Sequence, residues 1–177
     1  MLKFLMWTAV IVAVGIGGVL VYASTLPDEF RISRTVRVNA PAERIFPLID
    51  DLKAFNTWNP FLKMDPDSKL DYAAITAGRG ASYTFAGGKA GTGRIELTDD
   101  ARPSRVDMML HMEKPMEAHN RIVFDLQPRE NGTDVSWTMS GSRPFIGKVF
   151  DAVIGMERMV GKPFEQGLSD LKALAEK

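Results

Sequence analysis

The chain contains no cysteine. Disulfides, thiolate metal sites and a cysteine nucleophile are thereby excluded, and the redox compartment is left open. Histidine is nearly as scarce: His111 and His119 are the only two. Both fall in one predicted hairpin and no nucleophile motif accompanies them, so no Ser/His/Asp triad can be assembled. Net charge is absent too, with 22 Lys and Arg against 22 Asp and Glu, and there is no basic run. Without a net field there is no electrostatic means of gathering nucleic acid or an anionic substrate. The glycine-rich stretch Gly87-Gly88-Lys89-Ala90-Gly91-Thr92-Gly93 lacks a Gly-x-x-x-x-Gly-Lys-Ser/Thr pattern and joins two predicted strands. It reads as a flexible hairpin loop rather than a phosphate cradle.

What the chain does have begins at its amino terminus. From Phe4 to Ala23 no residue is charged, and a helix of that length spans roughly 30 Å, the thickness of a bilayer core. An uncleaved single-pass anchor is the expectation. Val21-Tyr22-Ala23 would also serve as a signal-peptide cleavage site, although such peptides have shorter apolar regions. Trp7 and Tyr22 suit the two interfaces, and Lys3 with the terminal amine suits the inner side. A single-pass inner-membrane protein is expected, with residues 27–177 forming one domain on the outer, periplasmic side and residues 1–26 the anchor and linker.

The carboxyl-terminal stretch carries the strongest helical signal. Val149, Val153, Met156, Val160, Phe164, Leu168, Leu171 and Leu174 recur at steps of three and four, one apolar stripe along a rod. Phe145, Ile146, Phe150, Ile154 and Met159 make its first half apolar on a second side, which calls for further cover. Pro163 predicts a kink, or two helices in series meeting there. Gly147, Gly155, Gly161 and Gly167 imply either close backbone approach or a simple start, break and restart near Gly147 and Gly161.

Between these ends, Phe30 to Asn39 alternates as a strand, and Pro41 opens a helix through Ala42, Ile45, Phe46 and Ile49. A second short helix is expected at Leu52 to Phe55, then an extended or turning path at Trp58-Asn59-Pro60-Phe61. Six further strands are predicted at 70–75, 81–86, 91–98, 104–113, 118–128 and 133–140. A turn at Lys114-Pro115-Met116 sets Val106 opposite Phe124, Met108 opposite Ile122, Leu110 opposite Asn120 and Arg105 opposite Asp125. A type I′ turn at Asn131-Gly132 sets Leu126 opposite Trp137 and Phe124 opposite Met139. That turn also accounts for the glycosylation-like Asn131-Gly132-Thr133. Both registers put the same side chains on one apolar face.

The segment Val38-Asn39-Ala40-Pro41-Ala42-Glu43-Arg44-Ile45-Phe46 leads to Trp58-Asn59-Pro60-Phe61. Lys114-Pro115-Met116-Glu117-Ala118-His119-Asn120 and Met159-Val160-Gly161-Lys162-Pro163-Phe164-Glu165 follow. With the order strand, two short helices, six strands, long helix, these residues resemble the bacterial polyketide cyclase/dehydrase type of the START, Bet v1-like (SRPBCC) superfamily, in a membrane-anchored subgroup. The resemblance implies an α+β helix-grip fold, a seven-stranded antiparallel curved sheet around the long terminal helix. It also implies a cavity between sheet and helix for a hydrophobic small molecule, with the glycine loop at its mouth.

The residues expected to line that cavity are Trp58, Phe61, Tyr83, Phe85, Leu110, Asn120, Phe124, Trp137 and Phe164. Asn120 is the one polar side chain expected on the apolar face of its strand and must find a partner, a water or a ligand oxygen. His111, His119, Glu113 and Glu117 could hold zinc by type, but their parity puts them on the outer, watered face, and no metal or other cofactor is expected. Three readings follow: a monomeric membrane-anchored binding module for a hydrophobic or lipid-like molecule; a cyclase or dehydrase using acid/base groups in the same cavity; and a protein-interaction module like the relatives that activate a chaperone.

Overall fold

The computed structural model describes residues 1–177. Helix α1 (Leu2–Thr25) stands at the amino terminus, and its 3–25 segment is long and apolar enough to cross a membrane. Seven strands then form one antiparallel sheet: β1 (Glu29–Val38), β2 (Lys69–Tyr72), β3 (Ser82–Ala86), β4 (Thr92–Ala101), β5 (Arg105–Lys114), β6 (Ala118–Arg129) and β7 (Gly132–Ser142). Their order is β1-β7-β6-β5-β4-β3-β2, so β1 and β2 are the edges. Register shifts at Thr92/Gly93 and Leu97/Asp99 bend β4, as β-bulges do. The fold is α+β, an open curved sheet holding a long carboxyl-terminal helix.

Four short helices follow β1: α2 (Ala42–Ile45), α3 (Pro47–Asp50), α4 (Leu52–Trp58) and α5 (Pro60–Met64). The single helix expected after Pro41 is divided, because Pro47 has no N–H to continue the ladder and becomes the first residue of α3. Asn59, ahead of Pro60, leaves helical geometry as expected (φ −54°, ψ 114°), and the chain turns there between α4 and α5. The Asn59 carbonyl oxygen Oδ1 accepts from the Phe61 N–H at 3.1 Å and caps α5, which satisfies one of the otherwise unpaired amides of that helix.

The β5–β6 register is as expected, Val106 to Phe124, Met108 to Ile122, Leu110 to Asn120 and Arg105 to Asp125. The β6–β7 register differs by two residues: Phe124 faces Trp137 and Leu126 faces Val135. The connecting residues are Glu130 and Asn131, and among the described residues no non-glycine has positive φ, so Asn131 does not supply the left-handed geometry a turn at Asn131-Gly132 assumes. A shift of two preserves side-chain parity, which is why the apolar face survives the error.

The terminal rod is two helices, α6 (Phe145–Ile154) and α7 (Met156–Ala175), and the break is not at Pro163 but at Gly155. Gly155 has φ +81°, a conformation cheap only for glycine. Pro163 lies inside α7 without ending it. Met159, whose carbonyl Pro163 cannot bond, is on the exposed side, where that carbonyl can tilt outward. The break also interrupts the apolar stripe. Val160, Phe164, Leu168 and Leu171 are buried, whereas Val153 is exposed together with Phe145, Ile146, Phe150, Ile154 and Met159. The cover expected for that second side is absent among the described residues.

Helix α7 lies mainly over β1 rather than across the whole sheet. Arg34 of β1 bridges to Glu165 at 2.7 Å and to Glu157, and Gly161 leaves room for its guanidinium. At Gly167 a Cβ would come within 2.8 Å of both Pro60 and Trp137, so the glycine there reflects close approach of the helix to the sheet.

Candidate functional site

The nine residues expected to line a cavity separate into two groups. Trp58, Phe61, Phe124, Trp137 and Phe164 come together with Phe55 as one aromatic cluster in the middle of the concave face. Trp137 lies 5.0 Å from Phe124, 5.7 Å from Trp58 and 6.4 Å from Phe61, measured between ring centroids. It stacks on Phe164 at 3.9 Å, and most of the other pairs meet edge to face, the geometry that aromatic quadrupoles favour. Here sheet and helix are in direct contact. On β3, Tyr83 and Phe85 pair with each other, and Phe85 lies in register with Gly93 and Met112, toward the end that holds Leu110.

Leu110 and Asn120 belong to a different place. The register sets Leu110 opposite Asn120, Asn120 opposite Gly141 and Leu110 opposite Ile95, toward the end of the sheet where β1 begins and β7 finishes. Leu110 is half-buried there, as are Met112, Ala90 and Leu70. These half-buried apolar residues form the open end of the concave face. The other end is closed by Phe46, Ile49, Leu52 and Phe55. Both α1, which leads into β1, and α6, which follows β7, lie at the open end, and they pack on each other.

Three polar features interrupt the apolar interior. The Trp137 indole N–H is buried and has no hydrogen-bond partner, an arrangement that costs free energy unless something accepts from it. Asn120 is buried beside Gly141. Its neighbours His119 and Arg121 make polar contacts, but none of the side-chain hydrogen bonds among the described residues engages Asn120. The third feature is a buried polar group under β2 and β3. Asn56 donates to the Tyr72 hydroxyl at 2.9 Å and Asn59 donates to Asn56 at 3.1 Å, with the Tyr83 hydroxyl beside both asparagines. Burial pushes Tyr83 far above its ordinary 10.0, so it stays a neutral hydrogen-bonding group. Sequence reasoning missed Asn56 and Tyr72. The Asn56–Asn59 spacing of three is the signal that could have found the first, since it stacks the two amides once the helix is known to continue.

The glycine loop is pinned rather than free. The Asp65 carboxylate accepts the backbone N–H of Lys89 at 2.7 Å and of Ala90 at 2.8 Å. These bonds hold the carboxyl below its usual value and fill the amide cradle with a carboxylate of the chain itself. His111 and His119 meet through their Nδ1 atoms at 2.9 Å on the outer face, with Glu117 3.8 Å from His119. Among the described residues there is no cluster of three metal-ligating side chains.

Residues 29–176 match the family described as "Polyketide cyclase / dehydrase and lipid transport". The chain belongs to that family. It sits within the Bet v1-like, SRPBCC superfamily, and similar solved structures share the fold at low identity. One is a protein from Chromobacterium violaceum (19% identity, TM-score 0.60, covering 86% of this chain and 99% of that one). Another is the Aha1 dimer from Colwellia psychrerythraea (18%, TM-score 0.59, 83% and 96%). A third is DynU16 of the dynemicin biosynthetic locus (16%, TM-score 0.58), which covers 86% of this chain and 48% of its own. No curated protein matches the chain.

Proposed function

We propose that this protein is a membrane-anchored binding module for a hydrophobic, lipid-like small molecule, monomeric and single-pass, with its domain on the outer side of the inner membrane. The observation that carries the reading is positional. The half-buried apolar end of the concave face, with Leu110, Met112 and Asn120, is the end from which α1 departs. A tether at that end holds the mouth within a linker length of molecules dissolved in the bilayer, at high effective concentration. The ligand's apolar part would rest on Leu110, Met112 and Phe85, and its polar end would take the free amide of Asn120. An oxygen reaching deeper would meet the unpartnered N–H of Trp137.

Native mass spectrometry of the full chain, released from membranes in mild detergent, should find one copy carrying a lipid-sized mass. Leu110→Trp and Met112→Trp, which fill the open end, should each strip it. A chain that carries no such mass, or whose load neither substitution changes, overturns the reading. A reporter fused after Lys177 and active on one side of the membrane fixes the orientation.

The buried Tyr83–Asn56–Asn59 group favours a second reading, a cyclase or dehydrase in which the neutral Tyr83 hydroxyl donates to a ligand oxygen. Turnover of a polyketide or ketone lost in Tyr83→Phe would support it, and turnover unaffected by that change would remove it.

A further inference from the structure

Helix α6 is built inside out for a helix on a water-soluble domain. Its outward side is made of Phe145, Ile146, Phe150, Val153 and Ile154, each between 46 and 67% exposed. Its inward side carries Lys148 and Asp151. Lys148 is buried and bonds Asp28 at 2.6 Å, and Asp151 bonds Arg143 and accepts from the Met156 N–H at 2.6 Å. The usual arrangement of a surface helix is the reverse. So large a contiguous apolar face, left uncovered, marks an interaction surface. The paired charges beneath it show that the orientation is fixed by contacts and is not a helix rolled the wrong way.

The neighbouring element names the occupant. α6 packs on α1, and it does so at the end where α1 leaves its membrane-length span, since Val19 is half-buried and Ala23 fully buried while most of α1 is exposed. The exposed apolar side of α6 is thus continuous with that of α1. The geometry points to α6 as an interfacial helix, lying flat at the boundary between lipid headgroups and acyl chains with Phe145, Ile146, Phe150, Val153 and Ile154 inserted in the outer leaflet that α1 exits. At ten residues it is about 15 Å long, and its apolar side would sink roughly 5–10 Å into the boundary between headgroups and acyl chains. A second copy or another protein on this face would have to share the place with the lipid around α1. The inference rests on the anchor reading given above, and adds that the domain is pressed to the bilayer by a second contact.

The absence of cysteine makes the test direct. Single Ile146→Cys, Phe150→Cys and Val153→Cys variants of the full chain are labelled with a polarity-sensitive fluorophore and reconstituted in vesicles of equal parts phosphatidylethanolamine and phosphatidylglycerol. Val12→Cys reports the middle of α1, and Glu130→Cys, on the hairpin at the far end of the sheet, reports water. Quenching is read from lipids spin-labelled near the headgroup, from lipids spin-labelled deep in the chain, and from aqueous iodide. The expected result is several-fold stronger quenching of the three α6 sites by the shallow lipid label than by iodide, with Val12 quenched best by the deep label. If Val12 is in lipid and the α6 sites answer to iodide, the interfacial helix is overturned and the anchor stands. If α6 sites are shielded from both quenchers, a protein surface covers them and the inference is equally overturned. If Val12 itself answers to iodide, anchor and interfacial helix fall together.

Discussion

Trp137 and Phe164 stack face to face, ring centroids 3.9 Å apart and planes 12° from parallel, and this contact joins strand β7 to α7. Both side chains are almost completely buried, and Gly167, one turn on, brings the helix backbone against the same indole. The two rings fix the spacing between sheet and helix, so whatever space a ligand uses must lie beside this contact.

Phe164→Ala should therefore behave as a core truncation. The expected loss is about 3–5 kcal/mol, read by urea unfolding of the chain in mild detergent. A loss below about 1 kcal/mol would mean that a void already exists beside the ring, since cavity cost scales with the space newly opened.

Asp65→Ala should release the glycine loop. The two amides that the carboxylate accepts, Lys89 and Ala90, would lose their partner, and their hydrogen exchange should quicken while that of β5 and β6 does not. The native carboxyl lies below its ordinary 3.8, so its contribution is complete above that value and fades as pH falls through the lower native one. Unchanged exchange at both amides would show that the loop holds its shape without Asp65.

Asp50 should act in the opposite sense. It is almost fully buried, with Oδ1 unpartnered and Oδ2 accepting from Arg102 at 2.6 Å. Burial raises its carboxyl above 3.8 more than Arg102 lowers it. A raised native value favours the protonated form, so this group's contribution is greatest below 3.8 and is lost as pH rises through the native value. Asp50→Asn should accordingly raise the melting temperature at neutral pH, with the gain shrinking as pH is lowered toward 4. A lower melting temperature at neutral pH would mean that the Arg102 contact outweighs the cost of burying the charge.

The sheet was legible because strand parity tolerates error. The β6–β7 pairing came out two residues away from the sequence reading, yet Phe124, Leu126 and Trp137 still face inward, since only odd shifts invert a strand. Helix breaks are less forgiving. Proline at 163 and glycine at 155 both signal interruption, and the sequence pattern alone does not show that the freed carbonyl of Met159 lies on an exposed side while the chain at Gly155 must turn through positive φ. The aromatic residues were readable as interior, but whether interior rings line a space or fill it depends on distances no periodicity contains. Asn56 and Asn59 come together beside Tyr83 only because α4 runs on to Trp58. The apolar second side of the terminal rod was equally plain as a pattern, and its surroundings were not.

The turn at Gly155 also has a mechanical meaning. A continuous rod from Phe145 to Ala175 would transmit every tilt of its first half as torque on Phe164, Leu168 and Leu171, and so on the aromatic contacts they hold. One residue outside helical geometry, with φ +81°, interrupts that rod, and the Asp151 carboxylate accepting the Met156 N–H ties the two pieces across the turn. On the interfacial reading proposed above, the part of the chain beside α1 would follow undulation and thickness changes of its surroundings like a sprung foot, while α7, fastened through Arg34 to Glu157 and Glu165, keeps the interior in register. Replacing that glycine would do more than strain one torsion: it would make the load on the foot a load on the core.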